Sequence, residues 1–153
     1  MKEWCNKGYD YIGAPWLQRP VYKLPVIAEI MQLIHSYHKF KGKPSKQDLY
    51  GKIGNGGLSL RKVASHYRVT CEQKERIDHY LAQKRYHLYN EDCFWATEAN
   101  GFTYPKVKEA IRFSFDKYPS YCYKLNNWQL PFGCHSWYKR KMKKFWMDFI
   151  PFQ

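Results

Sequence analysis

The sequence lacks the features that mark several protein classes. Its five cysteines are odd in number and form no C-x-x-C pair, which argues against a disulfide framework and a zinc ribbon. No run of about 18 apolar residues is available to span a bilayer, and polar residues interrupt the first positions, so no signal peptide is predicted. Internal repeats and low-complexity segments are also missing. These absences favour a globular protein with reduced thiols in the cytoplasm.

Acidic residues are scarce. Only 13 Asp and Glu oppose 26 Lys and Arg, which gives a formal net charge of +13. Such a surface attracts phosphates, anionic lipid headgroups or nucleic acid without choosing among them. The 153 residues suffice for one domain with a core of its own. Aromatic residues are plentiful and can line sugar or base sites, although most of them are expected in the core and in surface packing.

Short strand patterns alternate with helical ones, which favours an α/β fold. Residues 9–16 (YDYIGAPW) predict a strand that runs into a loop, and residues 53–60 predict a second strand with a glycine-rich entry. Helical spacing begins at Pro25. Only three or four strands are visible, which is half of a doubly wound sheet.

Further helices are predicted in the second half of the chain. One covers residues 71–85, with Ile77 and Leu81 facing inward, and a short one covers residues 90–100 with Asn90 as its N-cap. Residues 104–119 predict a helix or a strand that starts near a proline.

The stretch GNGGLSLR is the first candidate site. Gly56 and Gly57 can adopt positive φ and leave room beside the backbone. Asn55 supplies an amide, Ser59 a hydroxyl and Arg61 a planar guanidinium with five donors. A glycine turn that merely leads into a strand is the competing interpretation.

The acidic pair Glu91–Asp92 is the second candidate, because a carboxylate in a pocket can accept the proton of an attacking hydroxyl. The alternative is a helix start favoured by acidic side chains. The residue types leave these two interpretations equally open.

The stretch PFGCHSW is the third candidate. His135 could bind a metal or donate to a phosphate, and Trp137 could stack on a ring. A lone histidine is more often an ordinary loop residue. The following segment, residues 138–153, is a basic aromatic tail that suits a solvated or membrane-apposed helix face better than a nucleic-acid-binding module.

Together and in this order, WCNKGYDYIGAPW, GNGGLSLRK, NED, AIRFSFD and LPFGCHSW resemble a bacterial domain family of formally unknown function that is usually described as glycosyltransferase-like. The resemblance covers nearly the whole chain. It implies the C-terminal, acceptor-side part of a GT-A-like fold with an incomplete sheet, and transfer of a sugar from a nucleotide-sugar donor to a hydroxyl of a glycan acceptor, such as a cell-surface polysaccharide.

The resemblance also implies roles for individual residues. Asp92 is the first choice for the base of an inverting reaction and Glu91 the second. His135 would contact the donor diphosphate, directly or through a divalent cation such as Mn²⁺ or Mg²⁺. The acceptor would lie against six residues: Asn55, Gly56, Gly57, Ser59, Arg61 and Trp16.

One departure from the resemblance is important. GT-A enzymes bind the metal through a D-x-D-like element on an N-terminal, nucleotide-binding half, and no D-x-D occurs in this sequence. We therefore expect residues 1–153 to form a single glycosyltransferase-like domain without that half. The alternatives are a non-catalytic remnant, a subunit completed by a separate donor-binding polypeptide, or a basic nucleic-acid-binding protein, although no specific nucleic acid is expected. The expected location is the cytoplasm or the inner face of the membrane, with peripheral contact through the basic tail.

The sugar-transfer hypothesis depends on a spatial expectation. The glycine-rich turn, the acidic pair and His135 must lie around one hollow although they are far apart in the sequence.

Overall fold

The computed structural model describes residues 1–83 and 88–151, and helices are its main elements. The helices are α1 (Lys2–Asn6), α2 (Pro25–Phe40), α3 (Val63–Glu72), α4 (Lys74–Ala82), α5 (Glu91–Thr97), α6 (Val107–Phe113), α7 (Pro119–Leu125) and α8 (Arg140–Trp146). The strands are β1 (Tyr11–Gly13), β2 (Ser59–Arg61), β3 (Ser114–Phe115) and β4 (Gly133–Cys134), and two 3-10 helices (Pro20–Lys23 and Lys46–Leu49) flank α2. This mixture agrees with the predicted α/β composition, and the helix expected at Pro25 begins there.

The strands form two separate pairs. β1 runs antiparallel to β2, with Ile12 opposite Leu60, whereas β3 runs parallel to β4, with Phe115 opposite Cys134. Among the described residues there is therefore no single incomplete sheet of the kind expected. The strands are only two or three residues long, which is below the usual length for building a larger sheet.

The strand predicted over residues 53–60 is shorter in the structure. Ile53 makes only an isolated bridge with Pro15, and the β1–β2 ladder involves Ser59 onward. Between them Gly54 has a φ of +126°, a conformation that side-chain-bearing residues rarely adopt. The backbone therefore leaves the ladder direction at Gly54 and forms a loop.

The prediction for residues 71–85 is correct in type but not in detail. α4 occupies the centre of this range, and residues 84 and 85 lie outside the described residues. Ile77 packs against the core as predicted, but the inward position of Leu81 is wrong because its side chain is 44% exposed. Tyr80 is the buried residue of α4 instead. One residue along a helix rotates the side chain by about 100°, so only one of these neighbours can face inward.

Three clusters of buried side chains form the core. The first contains Leu49, Val69, Tyr80, Cys93 and Phe94; the second contains Ile111, Phe115, Cys122 and Trp146; the third contains Trp4, Ile12 and Phe113. β1, α5 and β3 each contribute a side chain to a different cluster. Glu91 and Asp92 therefore lie on an element that is anchored in the core, and Asp116 directly follows another.

The basic aromatic tail contributes to this core. Trp146 in α8 is 3% exposed, and its ring centroid lies 6.1 Å from that of Phe115. Phe145 lies against Tyr123, with ring centroids 5.6 Å apart. The aromatic side of α8 is thus packed inward. Over the described residues, no helix combines the length and apolar character needed to cross a bilayer.

Candidate active site

Residues 54–58, which we call the glycine loop, are fastened to β1. The hydroxyl of Tyr11 donates to the Gly54 carbonyl over 2.8 Å. The backbone N–H groups of Gly54 and Asn55 donate to the Ala14 carbonyl over 3.3 and 3.2 Å. A Cβ at Gly54 would lie only 2.1 Å from the Tyr11 ring. Because Tyr11 is fully buried, the start of the loop has a rigid support.

The acidic pair lies against this loop. α5 begins at Glu91 with Asn90 in the predicted cap position, although the Asn90 side chain makes no capping hydrogen bond. Asp92 accepts hydrogen bonds from the Gly56 N–H over 3.3 Å and from the N–H of Cys93 over 2.9 Å. The side chains of Cys93 and Phe94 are buried in the core. The core thus fixes α5 so that its first turn faces the glycine loop.

The pairing of β3 with β4 brings His135 to the same place. The N–H of His135 donates to the Phe115 carbonyl over 2.9 Å. Its Nδ1 lies 3.1 Å from Oδ1 of Asp116, whose other oxygen, Oδ2, accepts from Nδ2 of Asn55 over 2.8 Å. The Asp116 side chain is 8% exposed and that of His135 is 36% exposed. A buried carboxylate therefore links an accessible imidazole to the glycine loop.

Gly56 and Gly57 allow the side chains of Glu91 and His135 to approach the loop backbone closely. A positive φ was expected at these two glycines, but neither has one. Within the loop, Gly54 has the positive φ instead. A Cβ at Gly57 would lie 2.1–2.3 Å from three ring atoms of His135. At Gly56 it would lie 3.0 Å from Oε1 of Glu91. The space left by these glycines is filled by the protein's own candidate side chains, which a larger residue would displace.

Arg61 completes the charge arrangement. Its Nη2 donates to Glu91 Oε1 over 2.9 Å, and its Nε donates to the Ser59 hydroxyl over 3.2 Å. The guanidinium carbon lies 5.3 Å from the centre of the Tyr11 ring. Burial alone would lower the pKa of Arg61, but the hydrogen bond to Glu91 and the nearby Tyr11 raise it overall. Burial also raises the pKa of Tyr11, so a cation faces a neutral phenol.

These contacts define one site, which we call the glycine-loop cluster. Its members are Asn55, Gly56, Gly57, Ser59, Arg61, Glu91, Asp92, Asp116 and His135. The glycine loop thus contacts both the acidic pair and the imidazole, whereas a common hollow between them stays a prediction. The cluster holds three carboxylates, one guanidinium and one imidazole, which is a donor and acceptor set suited to proton transfer.

Trp16 lies elsewhere. It packs against the cluster of Leu49, Val69 and Phe94 in the core. It also lines a cavity of about 350 Å³ together with Tyr50 and seven other residues, none of which belongs to the glycine-loop cluster. Its predicted acceptor contact therefore has no support from a shared pocket.

Asp116 is the residue that the sequence did not single out. It stands at the end of the quoted stretch AIRFSFD, directly after the buried strand β3. An acidic residue that leaves a buried strand is a detectable signal. Its importance depends on a partner 19 residues away in the sequence, and only the β3–β4 pairing reveals that partner.

The divalent cation implied by the resemblance stays a prediction. Within residues 1–83 and 88–151 no three His, Cys, Asp or Glu side chains are grouped to hold a metal ion. Glu91 is paired with Arg61, and both oxygens of Asp116 already face donors or the imidazole. We therefore assign no step to a metal held by these residues.

Comparison with known proteins identifies the family. Residues 1–135 match the family described as "Protein of unknown function (DUF5672)". The chain belongs to this family. The DUF5672 match extends to His135 and so includes every member of the glycine-loop cluster, whereas α8 lies outside it. No curated protein and no solved structure matches the chain.

Proposed function

We propose that the glycine-loop cluster is the acceptor side of an active site that transfers a sugar from a nucleotide-sugar donor to a glycan hydroxyl. The observation that carries this proposal is the meeting of the glycine loop, the acidic pair and the His135–Asp116 pair at one place on the surface. The order of motifs along this DUF5672 chain supports the choice of reaction through its resemblance to glycosyltransferase-like domains of GT-A type.

His135 has the better geometry for the base. Asp116 holds its Nδ1 at 3.1 Å, so Nε2, which has the Ser136 hydroxyl 3.3 Å away, is the nitrogen that can accept the proton of an acceptor hydroxyl. Asp92, the first choice from the sequence, has each of its two oxygens on a backbone N–H. In this proposal Asp92 holds the loop in place, Asp116 positions the imidazole, and one base on one face of the sugar favours inversion.

The remaining side chains bind and orient the acceptor. The Arg61 side chain is 34% exposed and carries donors beyond those used on Glu91 and Ser59. Asn55 places its amide between Asp116 and the N–H of Gly57. Holding the attacking hydroxyl next to a base lowers the activation barrier of sugar transfer, because a bimolecular step becomes effectively unimolecular.

The test is sugar transfer by the purified 153-residue chain. UDP-glucose, UDP-N-acetylglucosamine, GDP-mannose and dTDP-rhamnose would be incubated with a glycan array, with release of nucleoside diphosphate and labelling of the array as readouts. We expect His135→Gln to lower transfer by about 10²–10⁴-fold. His79→Gln is the matched control, because His79 is exposed on α4 and outside the cluster.

Binding to the array is measured in parallel, because an acceptor-side module can bind a glycan without transferring sugar to it. Glycan binding that is lost in Arg61→Gln supports the acceptor-side assignment even if a separate donor-binding polypeptide is needed for turnover. Equal activity of His135→Gln and wild type would contradict the role of the imidazole. Absence of both transfer and glycan binding would overturn the proposed function.

A further inference from the structure

α2 carries an apolar stripe along its outer side. Five large apolar residues recur at alternating spacings of four and three positions: Val26, Ile30, Leu33, Tyr37 and Phe40. Their exposed fractions are 70%, 51%, 70%, 61% and 84%, respectively. This spacing places all five on one face of a helix. We call them the α2 stripe.

The opposite face attaches α2 to the rest of the protein. Nε2 of Gln47 donates to the Met31 carbonyl over 2.7 Å, and Nε2 of His35 lies 3.6 Å from Oδ1 of Asp48. Both partners belong to the 3-10 helix that follows α2. No residue of α2 is buried. A continuous exposed apolar surface of this kind marks an interaction site more often than a free surface.

The surroundings of the α2 stripe are basic. Residues 19–48 contain six basic residues (Arg19, Lys23, Lys39, Lys41, Lys43 and Lys46) and two acidic ones (Glu29 and Asp48). Of the two, Asp48 already accepts from the N–H of Ser45 over 2.8 Å. Lys41 stands beside the stripe itself, with its Nζ 5.9 Å from the ring centres of both Tyr37 and Phe40. An apolar stripe bordered by lysines is complementary to a partner that has an apolar interior beneath an anionic surface.

We propose that α2 lies along an anionic lipid bilayer, with the α2 stripe in the interfacial region and the neighbouring lysines on the headgroups. Helices of this type bind through buried apolar area plus attraction to anionic lipid. With 16 residues, α2 is about 24 Å long, which suits binding in the plane of the membrane. The basic tail is the weaker candidate, because Trp146 of α8 is already buried in the core.

A second copy of the chain is a poorer occupant. Stable protein interfaces use about 20–30 residues on each side, and the α2 stripe supplies five. Two copies, each with a formal charge of +13, would also bring like charges together. Charge complementarity therefore favours anionic lipid.

The experiment is flotation of the full 153-residue chain with vesicles of phosphatidylcholine alone or with about 30% phosphatidylglycerol. Wild type should float with the anionic vesicles only. Leu33→Glu/Tyr37→Glu should weaken binding at least about tenfold, since two apolar side chains leave the interface. The matched control is Val63→Glu/Tyr67→Glu on α3, where the same charges replace side chains that are 80% and 70% exposed. Unchanged melting temperatures would show that both variants are folded.

A second pair of variants tests the lysines. Lys41→Gln/Lys43→Gln should lower affinity for the anionic vesicles by about fivefold per lysine, whereas Lys106→Gln/Lys108→Gln, at the start of α6, should have a smaller effect. Equal losses in the stripe variant and its α3 control would attribute binding to overall charge and overturn the proposal. Failure to float, or a concentration-dependent dimer that the stripe variant abolishes, would also overturn it.

Discussion

Nδ1 of His135 lies 3.1 Å from Oδ1 of Asp116, and the same carboxylate accepts a hydrogen bond from Asn55 over 2.8 Å. One nearly buried acidic group thus joins two segments that are 80 residues apart, at positions 55 and 135. Because each partner occupies a different oxygen of Asp116, the position of the imidazole and that of the glycine loop depend on each other.

Gly57→Ala should destabilise the protein by displacing His135. The new methyl group would lie 2.1–2.3 Å from the ring, and forcing such a group into a packed site costs about 1–3 kcal/mol. The free energy of unfolding in urea measures this loss. Gly56→Ala is the matched comparison, since its nearest atom is the end of the Glu91 carboxylate at 3.0 Å, and a smaller loss is expected.

A double-mutant cycle of Gly57→Ala with Asp116→Ala tests the coupling between these two residues. If Gly57→Ala moves the imidazole away, then adding Asp116→Ala should cost less in that background than in wild type. Strictly additive losses would show that Gly57 and Asp116 act independently.

Asp10 should make stability depend on pH in the acid range. Its carboxylate accepts from the Thr103 N–H over 2.7 Å and from the Ser65 hydroxyl, and Nζ of Lys62 lies 3.7 Å away. Burial alone would raise its pKa, but the hydrogen bonds and the lysine charge outweigh it and hold the pKa of Asp10 below the ordinary 3.8. The unfolded chain therefore binds a proton first on acidification, so stability falls as the pH drops below about 4 and is fully present above about 5.

Asp10→Asn should remove this contribution. Chemical unfolding of wild type and variant at a series of pH values should give stability differences that shrink as the pH falls. For Asp78→Asn, which changes a carboxylate that is 58% exposed, the stability difference from wild type should change little with pH. A stability difference for Asp10→Asn that grows on acidification would contradict the predicted sign.

The five cysteines should differ in reactivity. Cys5 and Cys71 are exposed, whereas Cys93 and Cys122 are buried, and burial raises the pKa of each buried thiol to about 12. The thiolate is the reactive form. At pH 8, Ellman's reagent should therefore modify two thiols rapidly, Cys134 more slowly, and the buried pair only after unfolding. Cys5→Ser/Cys71→Ser should eliminate the fast phase, and a fast phase that persists would refute the assignment.

Trp146→Ala should be strongly destabilising although it lies in the basic tail. The side chain is 3% exposed and contacts the buried Phe115, and removing a buried large aromatic side chain costs about 3–5 kcal/mol. Met147→Ala, next to it and 58% exposed, should cost much less. Unfolding in urea followed by circular dichroism compares the two. Equal, small losses would mean that α8 does not form part of the core in solution.

The parts of the fold that the sequence predicted depend on local rules. Pro25 suits the first turn of a helix, and α2 begins there. Asn90 is a favoured cap residue, and α5 starts directly after it. The errors occurred where tertiary contacts decide. Leu81 fits an inward position by spacing, yet Tyr80 takes the buried place.

The sequence by itself determined the local elements and the chemical groups available to the site: a glycine-rich turn, an acidic pair, an imidazole and a strong positive charge. Tertiary structure alone decided which of these groups meet. Asp116 became part of the site because the β3–β4 pairing carries His135 to it, and Trp16 was separated from the site because its ring packs against the core. Contacts between distant segments depend on how strands pair and cores pack. The spacing of residues within one segment does not predict that pairing.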